Sequence, residues 1–250
     1  MAALATAAAQ ASEPGETQVI ELRQYKLQPG TRDAFVALFE DKLVDSQEAL
    51  GIRLVGQFRD RDDVDRFTWI RAFADMAARE RALNSFYFGP VWKANRDAAN
   101  PMLIDNDNIL MLRPAAAGLG FGPATARNAS APAGAVSVVI EYLWKAPDEG
   151  FTMLFRDRMK PALEAAGIDI VGAYVPVEEA NNFPRLPIRE ERKLFVWFVR
   201  GQSAAILAEK LDGVRKSERW QNEIAAPLHA AEERAPQILH LQPTPYSALR

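Results

Sequence analysis

The same pattern of residues occurs twice in this chain, and no other feature constrains its fold as tightly. After Pro29-Gly30-Thr31, the residues Phe35, Leu38, Phe39 and Leu43 fall at i, i+3, i+4 and i+8, the spacing of one buried helix face. After Pro147-Asp148 the spacing returns as Phe151, Leu154, Phe155 and Met159, displaced by 116 positions (151 − 35). Gly51-Ile52-Arg53-Leu54-Val55-Gly56 matches Gly167-Ile168-Asp169-Ile170-Val171-Gly172 with the same displacement. Phe67, Trp69, Leu83 and Trp92 then match Phe195, Trp197, Leu211 and Trp220, now displaced by 128 (195 − 67). A single insertion between Val175 and Arg192 accounts for the change. Segments that agree in order, two tryptophan pairs among them, mark a tandem duplication.

The duplication divides the sequence. Residues 1–17 form an Ala-rich arm, residues 18–114 the first copy and residues 135–250 the diverged second copy. Residues 115–134 between them are rich in Ala, Gly and Pro without periodicity, the composition of a linker. The arm holds Ala9-Gln10-Ala11, which has the form of a signal-peptidase site, yet its first basic residue is Arg23. Both a flexible arm and a signal remnant fit residues 1–11. The compartment is accordingly open: cytoplasmic, or periplasmic or secreted if those residues are a remnant. The Asn128-Ala129-Ser130 sequon carries no weight, since such triplets arise by chance.

Within the first copy, Val19 to Leu27 reads as a strand ahead of the Pro-Gly breaker, with Thr31 capping the helix that follows. Ile52 to Phe58 and Arg66 to Phe73 read as strands joined by the charged hairpin Arg59 to Asp65. Asp75 caps a second helix, Gly89-Pro90 interrupts it, Trp92 to Ala99 continues it, and Ile109 to Arg113 closes the unit as a strand. The order β-α-β-β-α-β is the ferredoxin-like split unit of an α+β fold. Its sheet has helices on one face only, so the other face needs a cover. In the third strand Phe67, Trp69, Arg71 and Phe73 alternate with Thr68, Ile70 and Ala72, so both faces are apolar enough to be buried. The second copy supplies the cover: the sheets are expected to pack together as an intrachain pseudo-dimeric α/β barrel.

Composition removes several chemistries. There is no cysteine among the 250 residues and there are only two histidines, His229 and His240, so thiolate zinc sites, cysteine nucleophiles and multi-histidine metal centres are excluded. A net charge of −3 argues against a nucleic-acid partner. No apolar run reaches the roughly 18–20 residues that span a bilayer.

The run Ile20-Glu21-Leu22-Arg23-Gln24-Tyr25-Lys26-Leu27 with Pro29-Gly30 resembles the opening of a NIPSNAP domain. Gly51-Ile52 to Gly56, Trp69 to Phe73 and Arg79-Glu80-Arg81 continue the resemblance, which covers residues 18–114. The second copy, over 135–245, keeps the architecture but shows Glu141-Tyr142-Leu143-Trp144 at the opening motif and lacks the Arg-Glu-Arg cluster. The resemblance implies the fold of the dimeric α/β-barrel superfamily, which includes cofactor-free monooxygenases and haem-dependent chlorite dismutases. It implies no catalytic set.

Candidate site residues come from strand alternation. Glu21, Arg23 and Tyr25 share one face of the first strand. If Ile20 and Leu22 meet the helices, those three polar residues point into the barrel and can hold a polar ligand or act on it. An ion-paired core position that docks the halves is the equal alternative. Trp69, Arg71, Trp197 and Glu141 join them as candidate ligand contacts, the tryptophans either stacking on a flat ligand or filling the core. His240 alternates with Ile238 and Gln242, and a cavity-facing histidine would serve as a general base or, in a haem alternative, as a ligand; a satisfied structural histidine is the competing reading. His229 and the Arg79-Glu80-Arg81 run read as solvated surface. Trp92 and Trp220 read as packing. The insertion Val177 to Arg192 reads as a lid over a barrel mouth or an oligomer contact.

The sequence therefore points to a protein that binds a small molecule in the inter-sheet cavity, with or without transforming it, and with no metal or cofactor. The alternative is a non-catalytic scaffold that binds another protein through its outer surface. A homo-oligomer is open in either case.

Overall fold

In the computed structural model, residues 19–123, 127 and 134–250 are described. The Ala-rich arm and the sequon lie outside them. Nine strands form: β1 Val19–Leu27, β2 Arg53–Asp60, β3 Arg66–Phe73, β4 Leu103–Asp105, β5 Ile109–Pro114, β6 Ala135–Leu143, β7 Asp169–Pro176, β8 Leu194–Gly201 and β9 Glu232–Pro243. Eight of them close an antiparallel barrel in the order β3-β2-β9-β6-β8-β7-β5-β1, sealed by the β1–β3 ladder. The short β4 pairs with the end of β1 outside the ring.

The strands of residues 19–114 lie in the order β5-β1-β3-β2, and those of residues 135–243 in the order β9-β6-β8-β7. The ladders β2–β9 and β5–β7 join the two sets edge to edge. Each set carries its own helices. After β1 comes a helical stretch over residues 32–48, and after β6 one over residues 149–165. Both stretches widen to a π turn in the middle, at Phe39–Leu43 and Phe155–Met159. Gly56 and Gly172 sit at matching β-bulges where a ring approaches closely. A Cβ there would lie 2.3 Å from the Phe58 ring and 2.6 Å from the Tyr174 ring.

Helix starts follow the capping chemistry. The Asp75 side chain accepts from Ala78 N at the start of Met76–Tyr87, and Ser203 does so from Ile206 N at the start of Ala204–Lys216. Thr31 differs from expectation: its hydroxyl donates backward to Gln28 O and caps nothing.

Three apolar clusters result. One fills the barrel with Ile20, Leu22, Ile70, Ala72, Val136, Val138, Val196 and Phe198, drawn from both halves. The other two lie between the sheet and the helices, Tyr25, Trp69 and Phe39 in the first half and Phe155, Trp197 and Leu211 in the second. This reverses the expected facing of β1. Ile20 and Leu22 point into the barrel, while Glu21, Arg23 and Tyr25 point outward beneath the helices. The aliphatic side chains pack the barrel centre, and the polar side chains go where helices can supply partners. No helix of the described residues is long and apolar enough to cross a membrane.

Candidate functional site

The β1–β3 register sets Glu21 opposite Arg71 and Arg23 opposite Trp69. All four are buried, and the helix Met76–Tyr87 adds Arg79 from above. Glu21 is the hub. Its Oε1 accepts from Arg79 Nε at 2.7 Å, and its Oε2 from Arg71 Nε at 2.8 Å and Arg23 Nη1 at 2.5 Å. Burial alone would raise this carboxyl, but Arg71, Arg23 and Arg79 together hold it well below the usual carboxylate range. Arg23 also donates from Nε and Nη2 to the Tyr25 hydroxyl, at 3.0 and 2.8 Å. Burial pushes Tyr25 up to about 12 against the opposing pull of Arg23, so it stays protonated. Arg71 Nη1 donates to Gln47 Oε1 at 3.1 Å, from the helical stretch after β1. The Trp69 indole lies between two guanidinium groups, with Arg23 and Arg71 each 5.1 Å from its ring centre.

A cleft of about 60 Å³ opens beside this network. Tyr25, Gln47, Trp69, Tyr87, Asn100 and Asn106 form its polar side, and Phe35, Phe39, Phe86, Trp92, Ala99 and Leu103 its apolar walls. Leu186 closes it from the insertion. That segment lies over the helices of the first half and not over a barrel mouth. Phe183 stacks on Tyr87 with ring centres 5.6 Å apart. Arg79 Nη1 donates to Asn181 Oδ1 at 3.1 Å and to Asn182 Oδ1 at 2.5 Å, and Asn182 Nδ2 donates to Met76 O.

Of the sequence candidates, Glu21, Arg23, Tyr25, Trp69 and Arg71 come together here. The other three do not. His240 lies at the barrel surface, its Nδ1 2.7 Å from Asp62 Oδ2, with more than a third of its side chain exposed. His240 is not among the residues that line the cleft. Trp197 is in the second half's core and donates from Nε1 to Glu141 Oε1 at 3.0 Å. Glu141 is not the counterpart of Glu21 that the sequence suggested. It pairs with Phe195 in the ladder as Tyr25 pairs with Phe67, so the displacement of 116 holds through this strand as well.

One site residue, Gln47, escaped the sequence reading, and another, Arg79, was misplaced by it. Arg79 is buried, not solvated, and Gln47 is buried as well. Both carried a signal. Arg79 precedes Ala82, Leu83 and Phe86 at i+3, i+4 and i+7, and Gln47 follows Leu43 and Val44 at the same spacings, so each lies on a buried stripe. Among the described residues, no group of three or more His, Cys, Asp or Glu side chains is placed to hold a metal ion.

Four of the five equivalent positions in the second half are apolar. Following the two displacements, Glu21, Arg23, Gln47, Arg71 and Arg79 correspond to Ser137, Val139, Leu163, Val199 and Leu207. The last four lie in its helix-side core.

Residues 20–117 match the NIPSNAP family model. No curated protein matches the chain. Over nearly its whole length the chain is similar to two crystal structures of candidate monooxygenases. One, from Fusobacterium nucleatum, has TM-score 0.58 at 12% identity, with 91% of this chain and 93% of that one covered. The other, from Lactobacillus acidophilus, has the same score and identity, with 90% and 93% covered. A NIPSNAP domain protein from Burkholderia xenovorans aligns with 40% of this chain and 96% of its own, at 21% identity and TM-score 0.37. The two longer matches establish the α+β barrel fold, and the likeness to the NIPSNAP family lies in residues 20–117.

Proposed function

We propose that the chain is an intrachain pseudo-dimer of two ferredoxin-like units, residues 18–114 and 135–250 joined by 115–134. In this reading the first unit binds a small molecule in its sheet–helix cleft, while the second serves as wall and lid. One observation carries it. The buried polar network and the cleft occur together in the first unit, whereas the matching positions of the second are Val139, Leu163, Val199 and Leu207. A network needed only to hold a barrel together would have no reason to be confined to one copy. The inter-sheet space is not the site, because aliphatic and aromatic side chains fill it.

The geometry favours binding over acid–base catalysis. Both Glu21 oxygens accept from arginines, which hold its carboxyl well below the usual carboxylate range and make it a poor base for a substrate proton. Tyr25, protonated at the cleft, is a hydrogen-bond donor. No metal or haem enters this reading.

The test is a cleft-filling variant. Ala99 is buried and lines the cleft, so Ala99→Leu occupies it at an overpacking cost of about 1–3 kcal/mol. Small acids, amides and phenols are screened by thermal shift on both proteins. Compounds that stabilise the wild type should lose their effect on Ala99→Leu. Equal stabilisation of both would place binding elsewhere.

The scaffold alternative has one observation on its side. Trp144 and Met153 are exposed on the second unit, Trp144 beside an apolar groove of about 350 Å³ lined by Phe151, Leu154 and Pro227. Partner binding there would be indifferent to Ala99→Leu.

A further inference from the structure

We infer that the ligand of this cleft is an anion, a small carboxylate with an apolar body, selected by an excess of buried cations. The inference rests on the small-molecule reading above and names its substrate class. Three arginines surround one glutamate, all four side chains fully buried, which leaves a net charge of +2 (3 − 1) inside the protein. Buried charge of this kind is ordinarily paired, because its desolvation costs several kcal/mol per ion.

The chain withholds the pairing groups it could have supplied. The insertion brings two oxygens to Arg79, and both belong to neutral amides, Asn181 and Asn182, where aspartates would have fitted. Gln47 likewise offers Arg71 a neutral oxygen.

Donors are also left over. Arg79 Nη2 and Trp69 Nε1 are buried without any acceptor. Arg71 Nη2 lies 2.7 Å from Glu21 Oε2 but lacks hydrogen-bond geometry. The Tyr25 oxygen accepts twice from Arg23, and among the described residues nothing takes its proton. The arginines do not line the cleft, but Tyr25 and Trp69 do; an acceptor-only group with negative charge bound beside those two would take their donors and feel the buried positive charge behind them.

The rest of the cleft sets the body of the molecule. Its walls are Phe35, Phe39, Phe86 and Leu103, which do not favour a compact, fully hydrated anion such as phosphate. Its volume of about 60 Å³ is smaller than the roughly 150 Å³ of a cavity that takes benzene. The closed cleft therefore has room for little more than a carboxylate and its first carbon, and butyrate or an aromatic acid needs residues 177–192 to move.

The experiment is calorimetric titration of the full chain with butyrate, butyramide, benzoate, benzamide and inorganic phosphate. Each acid should bind about tenfold or more tighter than its amide, with phosphate weaker than butyrate. Arg79→Leu, the residue the second unit has at Leu207, should abolish the preference. Because that change removes a buried partner of Glu21, Asn182→Asp provides a second readout. It places an internal carboxylate against Arg79, and should raise the melting temperature while weakening butyrate binding about fivefold or more. Equal binding of acids and amides, or of butyrate to wild type and Asn182→Asp, would overturn the anion inference and leave the cleft reading standing. Binding of amides alone would do the same. Absence of binding by all five probes would overturn the carboxylate class, with the Ala99→Leu screen then deciding the cleft itself.

Discussion

Glu21 and Glu141 are two buried carboxylates in one protein with opposite fates, and their neighbours explain the difference. Glu21 has three arginines and is held ionised. Glu141 has only the Trp197 indole donating to it, and its second oxygen is unpartnered. Burial pushes Glu141 up to about 7; the Trp197 hydrogen bond opposes this, the nearby Glu232 adds to it, and Arg215 offsets part of it. The sign of the pH effect follows. Between its unfolded value of 4.5 and about 7, the folded state holds more protons than the unfolded state, so stability falls as pH rises through that window. The loss is on the order of 3 kcal/mol. Glu141→Gln keeps an acceptor for Trp197 and removes the titration. Denaturant melts from pH 4.5 to 8 should show a slope in the wild type and a flatter line in the variant. Identical slopes would assign the effect to other groups.

At the scale of elements, the insertion is the part that makes the halves unequal. Phe183 is buried against Tyr87, and Asn181 and Asn182 hold Arg79, so a segment of the second half completes the wall of the first. Phe183→Ala should cost about 3 kcal/mol if the ring's contacts are lost without collapse. Amide exchange should rise across residues 177–192 and at the start of Met76–Tyr87 while β6 and β8 stay protected. A uniform rise over the barrel would mean that the segment is not a separate unit.

Elements were also what the sequence made most legible. The bounds of β1 and β3 and the cap at Asp75 follow from local patterning, because alternation and capping are short-range effects. The π turns left no trace, since widening one turn preserves the apolar spacing on either side of it. The facing of β1 was illegible for a different reason. Alternation separates Ile20 and Leu22 from Glu21, Arg23 and Tyr25, but both faces are buried, and nothing local says which one meets helices. The apparent match of Glu141 to Glu21 misled in the same way: only the ladder partners, Phe195 and Phe67, reveal that Glu141 stands where Tyr25 does.

For the whole molecule, the decisive fact is that the barrel core belongs to neither half. Ile20, Leu22, Ile70 and Leu112 from the first half pack with Val138, Val196, Phe198 and Leu241 from the second. The ladders β2–β9 and β5–β7 pair strand edges that either half alone would leave open. A half by itself would therefore expose both an apolar sheet face and two unpaired edges, a combination that drives association. The piece spanning residues 19–117, expressed alone, should run as a dimer or larger assembly in size-exclusion chromatography with light scattering. Mixing it with the piece spanning 134–250 should recover a one-to-one complex. A folded monomer of the first piece would break the argument, because it would show that the helix-side core, with its buried arginines, can hold the sheet without the partner face. The association expected instead ties the site to the barrel. The sheet that positions Glu21, Arg71 and Trp69 keeps its curvature only while its far face is covered, so the second half supports the cleft from behind as well as closing it from above.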